Sequence, residues 1–94
     1  MLLGIVLRRP VLNLNDDSGR GRTQLHVGSN GAPMLDLIDA AGNPLIGMAI
    51  DPTGPNIGLM DAGSKAGIAM QVLPGGPPGV HLTNARGKVI WGVP

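Results

Sequence analysis

A polar turn of the form Asp/Asn-x-x-Gly recurs along the chain and limits the folds that the chain can adopt. The turns begin at Asp16, Asp39, Asp61 and Asn84, at spacings of 23, 22 and 23 residues, and the third has one residue fewer before its glycine. An Asp or Asn side chain at the start of a turn accepts hydrogen bonds from the backbone ahead of it, and Gly tolerates the positive φ that a chain reversal needs. A fixed period of this length indicates a repeat architecture.

Each polar turn follows a short segment in which aliphatic residues alternate with small or polar ones. Leu35 and Leu37 precede the second turn, and another alternating pair, Met48 and Ile50, lies on the next segment, which is of the other kind. Turns rich in Gly and Pro separate the two kinds of segment. Alternation with period two is typical of strands, whereas Pro and Gly recur here too often for a helix. The repeat is therefore a strand, a Gly/Pro turn, a second strand and a polar turn.

The pattern predicts one all-β repeat domain over residues 1–94 and nine short strands. The repeats span approximately residues 1–20, 21–43, 44–65 and 66–88, and a final strand covers residues 89–94. The first strand is expected at residues 3–7. We expect the four two-strand repeats, each of 22–23 residues, to form a β-prism, β-helix or solenoid-like repeat that oligomerisation completes.

One layer of short strands has no second layer to cover its apolar side. The chain has no Phe, Tyr or Cys, and Trp91 is its only aromatic residue. Three solutions are open: a barrel or sandwich within one chain, a single-chain solenoid, or two or three chains that join their apolar faces around a symmetry axis. The repeat favours the last, with a trimer as the preferred number. The residues expected in the interface or core are Leu35, Leu37, Met48, Ile50, Ile57, Leu59, Met70, Val72, Val80, Leu82 and Trp91.

The segments LDLIDAAGNP at residues 35–44 and VHLTNARGK at residues 80–88 resemble a known hairpin repeat. This is the Leu-x-Leu-x-Asp-x-x-Gly-Lys repeat of bacterial and phage β-repeat proteins. Phage tail-fibre and spike shafts are similar in their aliphatic alternation, their turns of Gly, Pro, Asn and Asp, and their low aromatic content. The resemblance implies a trimeric, rigid, non-catalytic shaft or fibre module in a virion or outside the cell. It assigns no functional residue. The first repeat departs from it, because Arg8-Arg9-Pro10 replaces the glycine turn.

The side chains available for catalysis or metal binding are few. The chain has six Asp, two His and no Glu or Cys. His26 and His81 take outward positions on the strands, and neither has a second ligand at metal-binding spacing along the sequence. Residues 13–19 differ from a calcium loop because the Gly is one place late and Gln24 replaces the terminal Glu. The Gly/Pro segment at residues 74–78 lacks the Lys of a phosphate loop. We therefore expect no enzyme, no cofactor and no metal.

The charge pattern gives no general preference for an anionic partner. The net charge is +1, so we expect no nucleic-acid partner, and the apolar start at residues 1–7 is too short to span a bilayer. Four arginines between residues 8 and 22 form a solvated cluster or, alternatively, a site for an anion. The alternative function is an adhesin-like or carbohydrate-binding module that uses loops at residues 28–33 and 51–56. Trp91 could stack on a sugar in that case, although an interface is the preferred interpretation.

Overall fold

The computed structural model describes residues 11–94, which form one open antiparallel sheet of eight strands. Every strand pairs with its neighbours in sequence, in the order β1 to β8. The all-β prediction and the two-strand repeat are confirmed, and the predicted strand at residues 3–7 lies outside the described residues. The strands are β1 (Val11–Asn15), β2 (Gly21–Val27), β3 (Pro33–Ile38), β4 (Pro44–Asp51), β5 (Gly54–Met60), β6 (Gly67–Val72), β7 (Pro78–Thr83) and β8 (Val89–Val93).

The polar turns all lie at one end of the strands, which we call the Asx-turn end. In the turn at Asp39, the carboxylate Oδ1 accepts hydrogen bonds at 2.9 Å from backbone N–H groups two and four residues ahead. Gly42 has φ of 91° and donates its N–H to the Asp39 carbonyl. The turns at Asp16 and Asn84 repeat this network. Each of the three is followed by a register shift in the strand pair, so the repeated sequence produces a repeated bulge.

The turn at Asp61 has a different geometry. The Asp61 N–H donates to the carbonyl of Ala66, and the Ser64 hydroxyl donates to the Asp61 carboxylate at 2.8 Å. Met60 pairs with Gly67 and no register shift follows. The early glycine at position 63 therefore goes with a longer turn that has no bulge.

The shorter middle period, 22 rather than 23 residues, originates at the opposite end of the strands, the Gly/Pro-turn end. There Asp51 pairs with Gly54 across a two-residue loop, whereas Val27 pairs with Pro33 across five residues. Asp51 supports the tight loop by accepting the N–H of Thr53 at 2.8 Å. The loop between β4 and β5 is thus three residues shorter, while β4 and β5 together are two residues longer than β2 and β3, which leaves the net difference of one residue.

The register aligns the alternating aliphatic positions of all eight strands on one side, the apolar face, while Val11, Met34 and Met60 lie on the opposite side. Leu25 is opposite Leu35, which is opposite Met48 on the next strand. Thr23 is a polar exception within these rows. The apolar face comprises Leu12, Leu14, Leu25, Val27, Leu35, Leu37, Ile46, Met48, Ile50, Ile57, Leu59, Ile68, Met70, Val72, Val80, Leu82, Trp91 and Val93.

The described residues form no hydrophobic core. Ala32 is their one buried hydrophobic residue. The chain exposes 6889 Å², whereas a compact monomer of this mass exposes about 5,100 Å². Within the described part of one chain the sheet is a single layer and does not close; a prism, β-helix or solenoid arrangement stays a prediction.

Candidate interaction face

Along the central strand β4 the apolar face is the more exposed side of the sheet, although the opposite face also carries exposed residues on other strands, such as Met60 at 56%. On β4, Ile46, Met48 and Ile50 are 38%, 42% and 59% exposed, while the intervening Gly47 and Ala49 are half-buried. A sheet that packs on its own core shows the opposite order, with aliphatic residues buried and polar residues in water. This inversion identifies a surface that lacks a covering layer within the described chain.

The residues expected in an interface or core all lie on this face, in adjacent rows. The alternation along the sequence predicted their common side, because strand pairing sets corresponding residues of neighbouring strands opposite one another. None of the eleven is buried in the described chain. They therefore do not form a core within one chain, and their role in an interface stays a prediction.

An open groove of about 580 Å³ runs across the apolar face in its half nearer the Gly/Pro-turn end. Its walls are aliphatic side chains and prolines from β2 to β7. Prolines at the ends of strands add rigid apolar surface there and donate no backbone hydrogen bond. The residues of the apolar face and strand ends that line it are Leu25, Pro33, Leu35, Met48, Ile50, Pro55, Ile57, Met70, Val72, Pro78 and Val80.

Charge is concentrated at the end away from the groove. Of the eleven Asp, Lys and Arg residues in the described part of the chain, nine lie at the Asx-turn end. The exceptions are Asp36, in the middle of the opposite face, and Asp51, in the tight β4–β5 loop. No charged residue belongs to the apolar face as defined by the register. The face therefore has an uncharged half with a groove and a half that borders charged turns.

Hydrogen bonds at Asp16, Asp39 and Asp51 favour the ionised form of these three carboxylates. Backbone N–H donation by Arg20 is the main cause that lowers the pKa of Asp16 below 3.8. Donation by Asn43 lowers the pKa of Asp39 in the same way, and the Thr53 side chain is the main cause for Asp51. The backbone hydrogen bonds that Asp16 accepts confirm the Asx turn in the segment at residues 13–19, which was compared above with a calcium loop. The described residues contain no cluster of three potential metal ligands.

Two of the clustered arginines contact the neighbouring turn. Arg20 donates from Nη1 to the Ala40 carbonyl at 2.8 Å, and Arg22 donates from Nε to the Ile38 carbonyl at 2.7 Å. Both side chains thus link the first polar turn to the second. Arg8 and Arg9, the other members of the cluster, lie outside the described residues.

The opposite face carries a histidine–aspartate pair that the sequence reasoning missed. His26 Nε2 and Asp36 Oδ2 are 3.0 Å apart on adjacent strands, and the imidazole is half-buried rather than exposed as expected. His81 lies several strands away in the sheet. Among the described residues, Asp36 is the one side-chain hydrogen-bond partner of the His26 imidazole. Cross-strand register would have been needed to find this pair from the sequence.

Trp91 and the two loops of the alternative function lie in different parts of the molecule. Trp91 is exposed on the apolar face, opposite Leu82 on the last strand pair. The loops predicted at residues 28–33 and 51–56 lie at the Gly/Pro-turn end, where the residues between strands are 28–32 and 52–53 and the others belong to the ends of β3, β4 and β5. The groove on the apolar face is lined by Pro33, Pro55 and Asn56 from the two predicted loops, and Trp91 does not line it.

The comparisons with known proteins found no matching family model, no matching curated protein and no matching solved structure. In the part of the chain that the structure describes, no helix is long and apolar enough to cross a membrane.

Proposed function

We propose that this chain is a structural, self-associating β-repeat module, a part of a fibre, spike, stalk or filament, and that it is not an enzyme. The observation that carries the proposal is the inverted exposure of the sheet, whose aliphatic side is open to water. A contiguous exposed apolar surface of this extent is typical of an interaction site. The supporting sequence features are the regular repeat and its resemblance to shaft proteins, which favours a homotrimer over other numbers.

The energetics support a partner of large area. Thirteen residues of the apolar face are large hydrophobics that remain exposed. Covering them removes on the order of 800 Å² of apolar area per chain, roughly 20 kcal/mol gross at about 25 cal/mol per Å². This gain exceeds the roughly 4–15 kcal/mol cost of association. A single sheet left in water forgoes that gain.

The test is the mass of the purified chain in solution, measured by light scattering over a range of concentrations. We expect an oligomer, with a trimer as the favoured number, and a blue-shifted Trp91 emission that moves to longer wavelength on dilution. Trp91 is the only aromatic residue, so its emission reports on the apolar face without interference. A folded, soluble 9.6 kDa monomer at all concentrations would contradict the proposal. Binding to a glycan array by that monomer would instead favour the carbohydrate-binding alternative.

A further inference from the structure

We propose that copies of this chain join end to end, with strand β8 of one copy paired antiparallel to strand β1 of the next, so that the sheet continues from copy to copy. This inference rests on the proposed self-association and names a contact for it at the edges of the sheet, separate from the apolar face. A contact between two different edges is heterologous, so it closes into a ring or continues as a filament.

The two outer strands of the described sheet present edges that suit the addition of a strand. β8 pairs with β7 and β1 pairs with β2, and the described residues place no strand on their other sides. Such an edge carries backbone N–H and C=O groups without partners, and natural edges are commonly blunted by charged residues or proline. Neither strand contains a charged residue or a proline. The bulge at the start of β8 does not prevent pairing, because β2 begins with the same bulge and pairs with β3.

The sequence before β1 favours an open edge there. The three described Gly/Pro turns each use a glycine with positive φ, namely Gly31, Gly54 and Gly75. Among the residues that the structure describes, only glycines have positive φ, and residues 8–10 contain no glycine. Short hairpin loops generally need such a residue. The sequence therefore lacks the turn that would fold residues 3–7 back onto β1.

The proposed pairing repeats one that each chain already makes. β2 follows a polar turn and pairs with β3, which precedes the next polar turn, and the pairs β4–β5 and β6–β7 repeat this relation. β8 follows a polar turn and β1 precedes one in the same way. Val93 and Leu12 lie in the row of the apolar face that contains the pair Leu25 and Leu35. The same register therefore sets Val93 of one copy opposite Leu12 of the next.

The charges of the two turns beside this contact are complementary. The last polar turn carries Arg86 and Lys88 and no acidic residue. Asp17 is exposed in the first polar turn, where the two arginines, Arg20 and Arg22, donate to the second turn of their own chain. End-to-end pairing brings the two cations of the last turn beside the first turn of the next copy. Opposite charges at such a position favour this partner and this register.

A link between neighbouring turns within the chain predicts a matching link across the contact. The Arg20 N–H donates to Oδ1 of the residue four places before it, and Arg20 Nη1 donates at 2.8 Å to the carbonyl of Ala40, the second residue of the next turn. Lys88 holds the same place in the last turn, because its N–H donates to Asn84 Oδ1. The second residue of the next turn is then Asp17 of the next copy. Lys88 therefore reaches toward both the carbonyl and the carboxylate of that residue.

A disulfide can report on this contact alone. The chain contains no Cys, so Leu12→Cys/Val93→Cys places one thiol on each outer strand. β1 and β8 do not contact each other within one chain, so the two thiols are too far apart to pair there. Across an antiparallel pair, opposite Cα atoms are about 4.5–5.5 Å apart, which is within disulfide range. The control is Leu12→Cys/Met48→Cys, because Met48 lies in the same row, is 42% exposed against 43% for Val93, and belongs to an inner strand.

The mass of each variant is measured first, and the covalent products after mild oxidation are then separated under denaturing, non-reducing conditions. We expect Leu12→Cys/Val93→Cys to give at least about fivefold more linked product than the control or either single variant, because only opposite thiols reach disulfide geometry. A closed covalent trimer would show a ring, and a longer ladder would show a filament; both support the contact. An equal yield from Val93→Cys alone would show that β8 pairs with itself and would overturn the inference.

An exchange of charge tests the turns in the same assay. Lys88→Asp and Asp17→Lys, each added to the double-cysteine chain, should lower the linked yield about twofold, the size expected for an exposed ion pair. The two changes together restore opposite charges across the contact and should recover the yield; failure to recover would exclude the link between the turns. A yield no higher than that of the control, in a protein of oligomeric mass, would overturn this inference and leave the proposed function intact. A monomeric wild-type chain would instead remove the proposed function itself.

Discussion

A single charge on the apolar face should weaken assembly far more than the same charge on the other side of the sheet. Met70 and Ala69 are neighbours on β6, and the register places them on opposite faces. Met70 is opposite Ile57 and Val80 within the apolar face, whereas Ala69 is opposite Gly58 and is exposed. Met70→Lys and Ala69→Lys therefore add the same side chain to the same strand.

The magnitude follows from what the contact would bury. Met70 is 39% exposed, and covering that remainder contributes about 1 kcal/mol, since full burial of such a side chain is worth about 1.5–3 kcal/mol. A lysine there also loses part of its hydration, which costs at least about 1 kcal/mol more even when the ammonium reaches toward water. A contact between two copies includes two such positions, which gives about 4 kcal/mol per contact, or roughly a thousandfold in the dissociation constant of that contact. Ala69→Lys should stay within about 0.5 kcal/mol per copy, roughly fivefold.

Sedimentation equilibrium over a wide concentration range gives both dissociation constants directly. Far-UV circular dichroism of each variant shows whether the sheet is retained. If Met70→Lys changes the constant by less than about tenfold, or if Ala69→Lys weakens assembly as much, the apolar face is not the surface that joins the copies.

Two further predictions concern the turns. Gly54 has φ of 113°, and a Cβ there would overlap the carbonyl oxygen of Val72. Gly54→Ala should therefore lower the free energy of unfolding in urea, at fixed protein concentration, by about 2–4 kcal/mol. The control Gly58→Ala, whose Cβ meets open space, should lower it by less than about 1 kcal/mol. The lowered pKa values of Asp16 and Asp39 mean that their stabilising contribution is present above 3.8 and is lost as the pH falls through the folded-state pKa. The urea midpoint of the double variant Asp16→Asn/Asp39→Asn should therefore fall less than that of the wild type between neutral pH and a pH below 3.8. Equal falls would show that these two carboxylates do not cause the loss of stability in acid.

Local sequence patterns predicted the strands and their faces, because alternation and turn chemistry act within a few residues. Leu35, Leu37 and their equivalents needed only a period of two to be placed on one side. The same reasoning treated the turn at Asp61 as one more copy, although the early Gly63 goes with a longer turn without a bulge. A displaced glycine within a turn can be read from the sequence, but the compensating hydrogen bond from Ser64 depends on the backbone path.

Features that depend on pairing between strands were beyond the sequence pattern. His26 and Asp36 are ten residues apart and meet only because β2 and β3 adopt one particular register. The groove likewise combines side chains from six strands. Neither feature has a signature in the alternation of residues along one strand.

The topology itself explains why more repeats would not produce a core. In a meander of neighbouring strands, each additional two-strand unit adds further aliphatic side chains to the same face and covers those of earlier units only in part. The exposed apolar area therefore grows in proportion to chain length, while a folded layer covers itself only when a second layer opposes it. In the proposed assembly, another copy with matching rows would supply that layer, so the proposal follows from the repeat itself.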